Sequence, residues 1–141
     1  MKKLRYLLII MILLVTVGCF KTDKTYEYKA KNTDETIKVT VSDEYKLSEE
    51  EPIKVTKGEE ELASIIFITK TNYEEVKKLF ENKMIVPIEE GNEEKGEYYL
   101  YKVGEEFNYI RLIDDSNTGV AMTTKNEEVS KKLMEEIKYS K

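Results

Sequence analysis

Enzymes and metal proteins draw most of their chemistry from a few side-chain types, and several of these are missing from this 141-residue chain. It has no His and a single Cys. The commonest general base and zinc ligand is therefore absent, and no intramolecular disulfide can form. The glycines beyond residue 18 are isolated from one another, so no Gly-rich phosphate loop is present. Oxygen chemistry remains. Glu59 with Glu61, or Glu93 with Glu94, has the residue type for a glycosidase, whose two carboxyls stand about 5–10 Å apart across a cleft. The chain holds 28 Asp and Glu and nothing singles out a pair, so these acids read as solvated surface. The run Asp114-Asp115-Ser116-Asn117-Thr118-Gly119 is rich enough in oxygen to attract calcium. Its spacing fails the EF-hand pattern, with Thr118 at the fifth ligand position and Lys125 where the closing Glu belongs. The same residues are ordinary turn formers, and a hairpin is expected.

Ten tyrosines form the other conspicuous set. Tyr99, Tyr101 and Val103 share one strand face, and Tyr98, Leu100 and Lys102 share the other. An exposed Tyr99/Tyr101 stripe would stack on sugars or join a protein interface, whereas cross-strand packing under a helix is the commoner use. Arg111 lies in the adjacent strand and is the one Arg beyond residue 18. Its forked donors suit a carboxylate, although an outward-pointing Arg on a strand is equally ordinary. No catalytic residue, metal ligand or cofactor site is assigned, and no cofactor is expected.

The lone Cys has a context of its own. Lys2, Lys3 and Arg5 precede eleven residues, 7–17, of which only Thr16 is polar, and Gly18-Cys19 follows. A basic start, a short apolar core and a small residue at the cut mark a secretory signal peptide. A permanent span needs about 20 apolar residues, and residues 6–20 supply only fifteen, with Thr16 and Gly18 among them. The Gly18-Cys19 junction resembles the lipobox of bacterial lipoproteins, apart from Thr16 where that pattern usually has Leu. The resemblance implies that Cys19 receives a diacylglyceryl group and becomes the first residue of the mature chain. Residues 1–18 would be the signal peptide and residues 19–25 a short tether. The protein would then face outside the cytoplasm, held on the cell membrane by lipid. A thioether also removes the liability of a lone exported thiol, and two or more acyl chains anchor stably where one is marginal.

Residues 1–18 take three of the 23 basic residues and no acid, leaving 20 Lys and Arg against 28 Asp and Glu, or about −8. That balance excludes nucleic acid as a partner, because phosphate binding needs clustered Lys and Arg. The remaining 123 residues suffice for one domain without metal or disulfide support.

The elements that must position these side chains follow from periodicity. Tyr26/Tyr28, Ile37/Val39/Val41 and Ile53/Val55 alternate with polar residues, as half-buried strands do. Residues 62–69 form a nearly continuous apolar strand, as a strand covered on both faces would. A helix follows, capped by Thr71 or Asn72 with Glu74 or Glu75 completing a capping box. Val76, Leu79, Phe80 and Met84 make its apolar face. Residues 85–88 resume extended structure, with Pro87 suggesting a sheet edge, and residues 89–96 form a charged loop. Strands over 98–103, 107–113 and 119–124 are separated by Gly104 and the 114–119 turn. A second helix starts near Asn126 and uses Val129, Leu133 and Ile137.

These segments make a single α+β domain over residues 26–139. A meandering antiparallel sheet carries a middle helix and a C-terminal helix, both packed on it. The order of elements and the Tyr98-Tyr99-Leu100-Tyr101 strand resemble the fold shared by Mog1 and the photosystem accessory protein PsbP, which implies an accessory or binding role. The expected function is a non-enzymatic interaction or accessory module of the bacterial cell envelope, with an envelope protein or glycan as partner. The alternative is a small carboxylate-dependent envelope hydrolase. A cleft-facing acid pair with raised pKa would favour the hydrolase, and a large exposed apolar or tyrosine patch the binder.

Overall fold

The computed structural model describes residues 22–91 and 96–141. The apolar segment, Gly18 and Cys19 therefore lie outside the described residues, as do Glu93 and Glu94. In chain order the elements are β1 (Asp23–Lys29), β2 (Thr36–Ser42), β3 (Lys46–Leu47), β4 (Ile53–Lys57), β5 (Glu60–Thr69) and α1 (Lys70–Glu81). There follow β6 (Glu89–Glu90), β7 (Tyr98–Val103), β8 (Glu106–Leu112), β9 (Thr118–Thr124), α2 (Glu127–Glu136) and β10 (Lys138–Ser140). The class is α+β, as expected. The strands divide between two antiparallel sheets rather than one, in the orders β1-β2-β10 and β3-β4-β5-β9-β8-β7-β6. Strand β1 opens at Asp23, so three residues read as tether are paired with β2.

The larger sheet is built around a row of apolar side chains that crosses it. Ile53 pairs with Ile65, Ile65 with Met122, Met122 with Tyr109 and Tyr109 with Leu100. All five are at most 2 % exposed. Directly opposed residues point to the same face, so this row defines the core face. The small sheet covers it with Tyr28, Ile37, Val39 and Val41, α2 adds Leu133, and Ile137 just beyond the helix completes the cover. The opposite face carries Tyr99 and Ile110 and is covered by Tyr73 and Phe80 of α1. The two helices thus pack on opposite sides of the seven-stranded sheet.

Helix α1 begins earlier than its sequence suggests. Thr69, the last residue of β5, is the N-cap, and its hydroxyl accepts from the Asn72 amide at 3.1 Å. Thr71 and Asn72 lie inside the first turn. The helix ends in a left-handed Lys83 (φ 57°), with the Met84 amide bonded to the Leu79 carbonyl at 2.9 Å and Lys83 to Phe80 at 3.0 Å. That is a Schellman closure, and it carries Met84 off the helix to 73 % exposure. The buried face is therefore Tyr73, Val76 and Phe80, with Leu79 half-exposed beside it, instead of Val76, Leu79, Phe80 and Met84. Phe80 stacks on Tyr99 with ring centroids 4.4 Å apart and meets Tyr101 edge-on at 5.1 Å. Such aromatic pairs add about 0.5–1.5 kcal/mol each beyond their burial. The expected edge strand falls on Glu89–Glu90, not on residues 85–88.

Helix α2 starts where its sequence places it. The Asn126 side chain accepts from the amides of Glu128 and Val129 at 2.9 and 3.2 Å. The buried Thr124 and Ser130 hydroxyls hydrogen-bond to each other, tying the first turn to the end of β9. At the other end the Tyr45 hydroxyl donates to Glu136. Ile137 is already extended and leads into β10, so it packs as a cap residue rather than a helical one.

One carboxylate joins the two sheets at the far end. Glu35 Oε1 accepts from the Asn117 amide and the Thr118 hydroxyl, both at 2.8 Å, and its Oε2 lies 2.9 Å from Lys141 Nζ. Hydrogen bonding from Lys141 and then Thr118 holds the Glu35 carboxyl below its ordinary value.

Two outcomes follow. Full burial of Leu133 contributes on the order of 2 kcal/mol and truncation adds a cavity. Leu133→Ala is thus expected to cost about 2–5 kcal/mol in a urea melt, whereas a surface change costs under roughly 0.5 kcal/mol. For Glu35, a folded pKa below the unfolded one means its contribution is complete above the ordinary value of 4.5 and is lost as pH falls through the folded value. The urea midpoint of Glu35→Gln should lie below the native midpoint at neutral pH, with the gap closing on acidification. A gap that stayed constant down to pH 2–3 would remove Glu35 from this role.

Candidate functional site

The small sheet does not reach across the whole core face, and a cleft of about 630 Å³ remains at the β6–β7–β8 end. Three alternating strand residues make its floor. Tyr109 and Arg111 are two apart on β8 and so share a face, and Tyr98 of β7 lies directly opposite Arg111. Met134 and Ile137 form an apolar wall at the end of α2, and Tyr139 of β10 closes it. Lys131 and Lys138 stand at the rim, with Glu89 and Glu135 on the same walls. Lys131 is engaged along its own helix by Glu127 at 3.3 Å.

The cleft combines cations, carboxylates and phenols. The Tyr98 and Tyr109 rings are 5.6 Å apart and tilted by 55°. The Tyr98 hydroxyl donates to Glu89 Oε1 at 2.8 Å. Burial, helped by that carboxylate, pushes its pKa up to about 12. Burial also raises the hydroxyls of Tyr109 and Tyr139, and in both cases the Arg111 charge opposes the rise. At neutral pH these phenols are neutral hydrogen-bonding groups, not phenolate bases. Arg111 donates from Nε to the Leu112 carbonyl at 3.3 Å. Among the described residues it enters no ion pair.

Position 91 keeps this floor in place. A Cβ on Gly91 would lie 2.3 Å from Tyr98 Cδ1 and 2.5 Å from the Gly96 carbonyl oxygen. Only glycine lets the edge chain pass this close to Tyr98, and the Gly91 amide bonds to the Tyr98 carbonyl at 2.8 Å.

The other candidate side chains are elsewhere. Tyr99 and Tyr101 pack beneath Phe80, so the stripe read from sequence is interior to a helix–sheet contact. Residues 113–117 form the β8–β9 hairpin turn, and Thr118 and Gly119 of the expected turn already belong to β9. Asp115 there is left-handed at φ 56°, and the Ser116 hydroxyl donates to the Ile113 and Thr118 carbonyls, each at 3.0 Å. Glu59 sits in the exposed β4–β5 turn and Glu61 pairs with Lys54 at 3.8 Å, both far in chain order from the cleft-lining strands. Among the described residues no group of three or more Asp, Glu or Cys is placed to hold a metal ion. Tyr109 was missed although its alternation with Arg111 carried the signal. Glu89, Glu135 and Tyr139 had none, because a two-residue edge, one acid of a helix and a three-residue terminal strand look like ordinary surface.

No protein-family model, curated protein or solved structure matches the chain.

The glycine requirement is testable. Gly91→Ala forces the edge or the Tyr98 ring to move, and overpacking of this kind costs about 1–3 kcal/mol. A denaturant melt should register that loss, and Tyr98 ring resonances should shift more than those of Tyr28 in the opposite half of the core.

Proposed function

We propose that the chain is a membrane-anchored extracytoplasmic lipoprotein whose single domain is a non-enzymatic interaction module of the bacterial cell envelope. One observation carries the anchoring: Gly18-Cys19 behind a basic start and an apolar run too short for a permanent span. The start of the domain fits it. Strand β1 opens at Asp23, four residues beyond Cys19, a separation of at most about 14 Å. The domain would sit against the headgroups, and its acidic balance keeps it from lying flat on an anionic surface.

The cleft supports the binding reading. Its volume lies within the range of about 300–1,000 Å³ typical of small-molecule sites, and like them it sets an apolar wall beside a few convergent polar groups. Its phenols are held neutral. One feature favours the hydrolase alternative: Glu89 and Glu135 line the same cleft. Against it, Glu89 already accepts the Tyr98 hydroxyl, and among the described residues neither acid enters an ion pair.

The anchor is tested by substitution. Cells expressing Cys19→Ala are expected to incorporate no radioactive fatty acid into this protein and to leave it uncleaved or released from the membrane. Label retained on the Ala variant would overturn the lipoprotein reading.

A further inference from the structure

The cleft's one guanidinium is short of partners. Arg111 has five N–H donors; Nε donates to the Leu112 carbonyl at 3.3 Å and the Tyr109 hydroxyl is a further hydrogen-bonding neighbour, but no carboxylate among the described residues pairs with it. By contrast, several lysines have taken carboxylates: Lys77 with Glu97 at 2.6 Å, Lys131 with Glu127 at 3.3 Å and Lys141 with Glu35 at 2.9 Å. Arg111 is thus left without a counterion among the described residues of a chain where acids outnumber bases 28 to 23. Gly96 also stands close to the guanidinium, since a Cβ there would lie 3.3 Å from one of its terminal nitrogens.

We propose that the cleft is a binding site for a small organic acid, with Arg111 gripping its carboxylate and the apolar wall of Met134 and Ile137 receiving its body. The proposal deepens the interaction-module reading and rests on it, but not on the lipid anchor. Guanidinium matches a carboxylate with two parallel N–H bonds, which adds direction as well as charge. Tyr109 and Tyr139, neutral and close enough to feel the Arg111 charge, can supply a further hydrogen bond to the same oxygens. The Tyr98 hydroxyl is committed to Glu89 and leaves its ring as a flat wall.

The same geometry sets limits on the ligand. Glu89 and Glu135 share the lining with the three cations Arg111, Lys131 and Lys138, so the site is close to balanced in charge and favours a ligand with one negative charge over a highly charged one. A single carboxylate on a compact apolar or ring-shaped body satisfies the site, whether it is a free acid or the acidic end of a longer envelope molecule.

The test uses the full chain in detergent micelles with 15N-labelled arginine. The sequence has two Arg, Arg5 and Arg111, and Arg111→Lys identifies the second Nε–H signal. Cyclohexanecarboxylate is the probe, with cyclohexanecarboxamide as its neutral isostere and inorganic phosphate as a compact anion. The expected result is a saturable shift of the Arg111 signal with the carboxylate. The carboxamide should bind about tenfold more weakly or worse, since it leaves the cation unpaired. Phosphate should be weaker too, for want of an apolar body. In ligand-observed saturation transfer, Arg111→Lys should lower carboxylate affinity by a similar factor, and Glu135→Gln should raise it. An unsaturable or absent shift overturns the proposal. So does equal binding of the carboxamide, which would mean an apolar pocket only, or equal binding of phosphate, which would mean unselective anion attraction. Should Arg111→Lys fail to fold, the carboxylate–carboxamide contrast in the native chain decides alone. Repeating the titration on Cys19→Ala separates the two readings: loss of fatty-acid labelling with binding intact is expected. Lost binding with labelling normal in the native chain would sink the cleft and leave the lipoprotein standing.

Discussion

The pairing of β5 with β9 is the constraint from which the rest of the molecule hangs. It aligns residues 64–69 with 118–123, so two segments some fifty residues apart must meet in one register before either face of the large sheet exists. A slip of one residue would set Ile65 and Phe67 on the opposite face from Val120 and Met122, so that one strand or the other turned its core residues outward. Gly119 enforces the fit, since a Cβ there would lie 2.9 Å from Ile68 Cγ1 and 3.0 Å from the Arg111 carbonyl oxygen. Once that pair is set, β8, β7 and β6 can only add outward from β9. The two exposed faces then need different covers: a helix on one, and a helix with a small sheet on the other.

The cleft is a by-product of that second cover. Three strands are too few to shield seven, and β10 and α2 close the gap incompletely over β7 and β8. Residues that elsewhere would be core therefore acquire solvent contact on one side. This explains the mixture found there, with rings and a methionine beside an arginine, and phenols whose proton is held by burial. The charge arrangement is local as well. A domain that is acidic overall gathers Arg111, Lys131 and Lys138 around one opening.

Much of this could be read from the residue order. Strands β2, β4, β5, β7, β8 and β9 follow alternation or unbroken apolar runs, and the Asn126 cap announces α2. The failures have physical causes. Thr69 both ends a strand and caps a helix, and sequence periodicity cannot divide one residue between two elements; Tyr73 was lost from the apolar face for that reason. Lys83 adopts the left-handed turn that glycine would have signalled, so the end of α1 was invisible and Met84 was counted as buried. Strands β3, β6 and β10 have two or three residues each, too few to show a period, and exist because longer neighbours offer them an edge. Division of the strands into two sheets is a tertiary choice with no local marker. For the cleft, Arg111 and the alternation of its strand were legible; its walls came from segments remote in the chain.

Strand β1 has a mechanical consequence. Its first residue, Asp23, is paired with Ser42 at the open end of the β1–β2 hairpin, and the turn lies at the other end, beyond Lys29 and Thr36. A pull applied upstream of Thr22 therefore loads the hydrogen-bonded pairs one after another, as a zipper is loaded, and not all together in shear. Peeling the seven residues of β1 would lengthen the lead to the remaining domain by about 24 Å, while β2 kept its bonds to β10. The seven-stranded sheet would keep its own strand pairing, losing the Tyr28 contacts with Phe67 and the Ser48 carbonyl as the strand came away. The first strand can thus serve as slack in the line, with the larger sheet placed behind it.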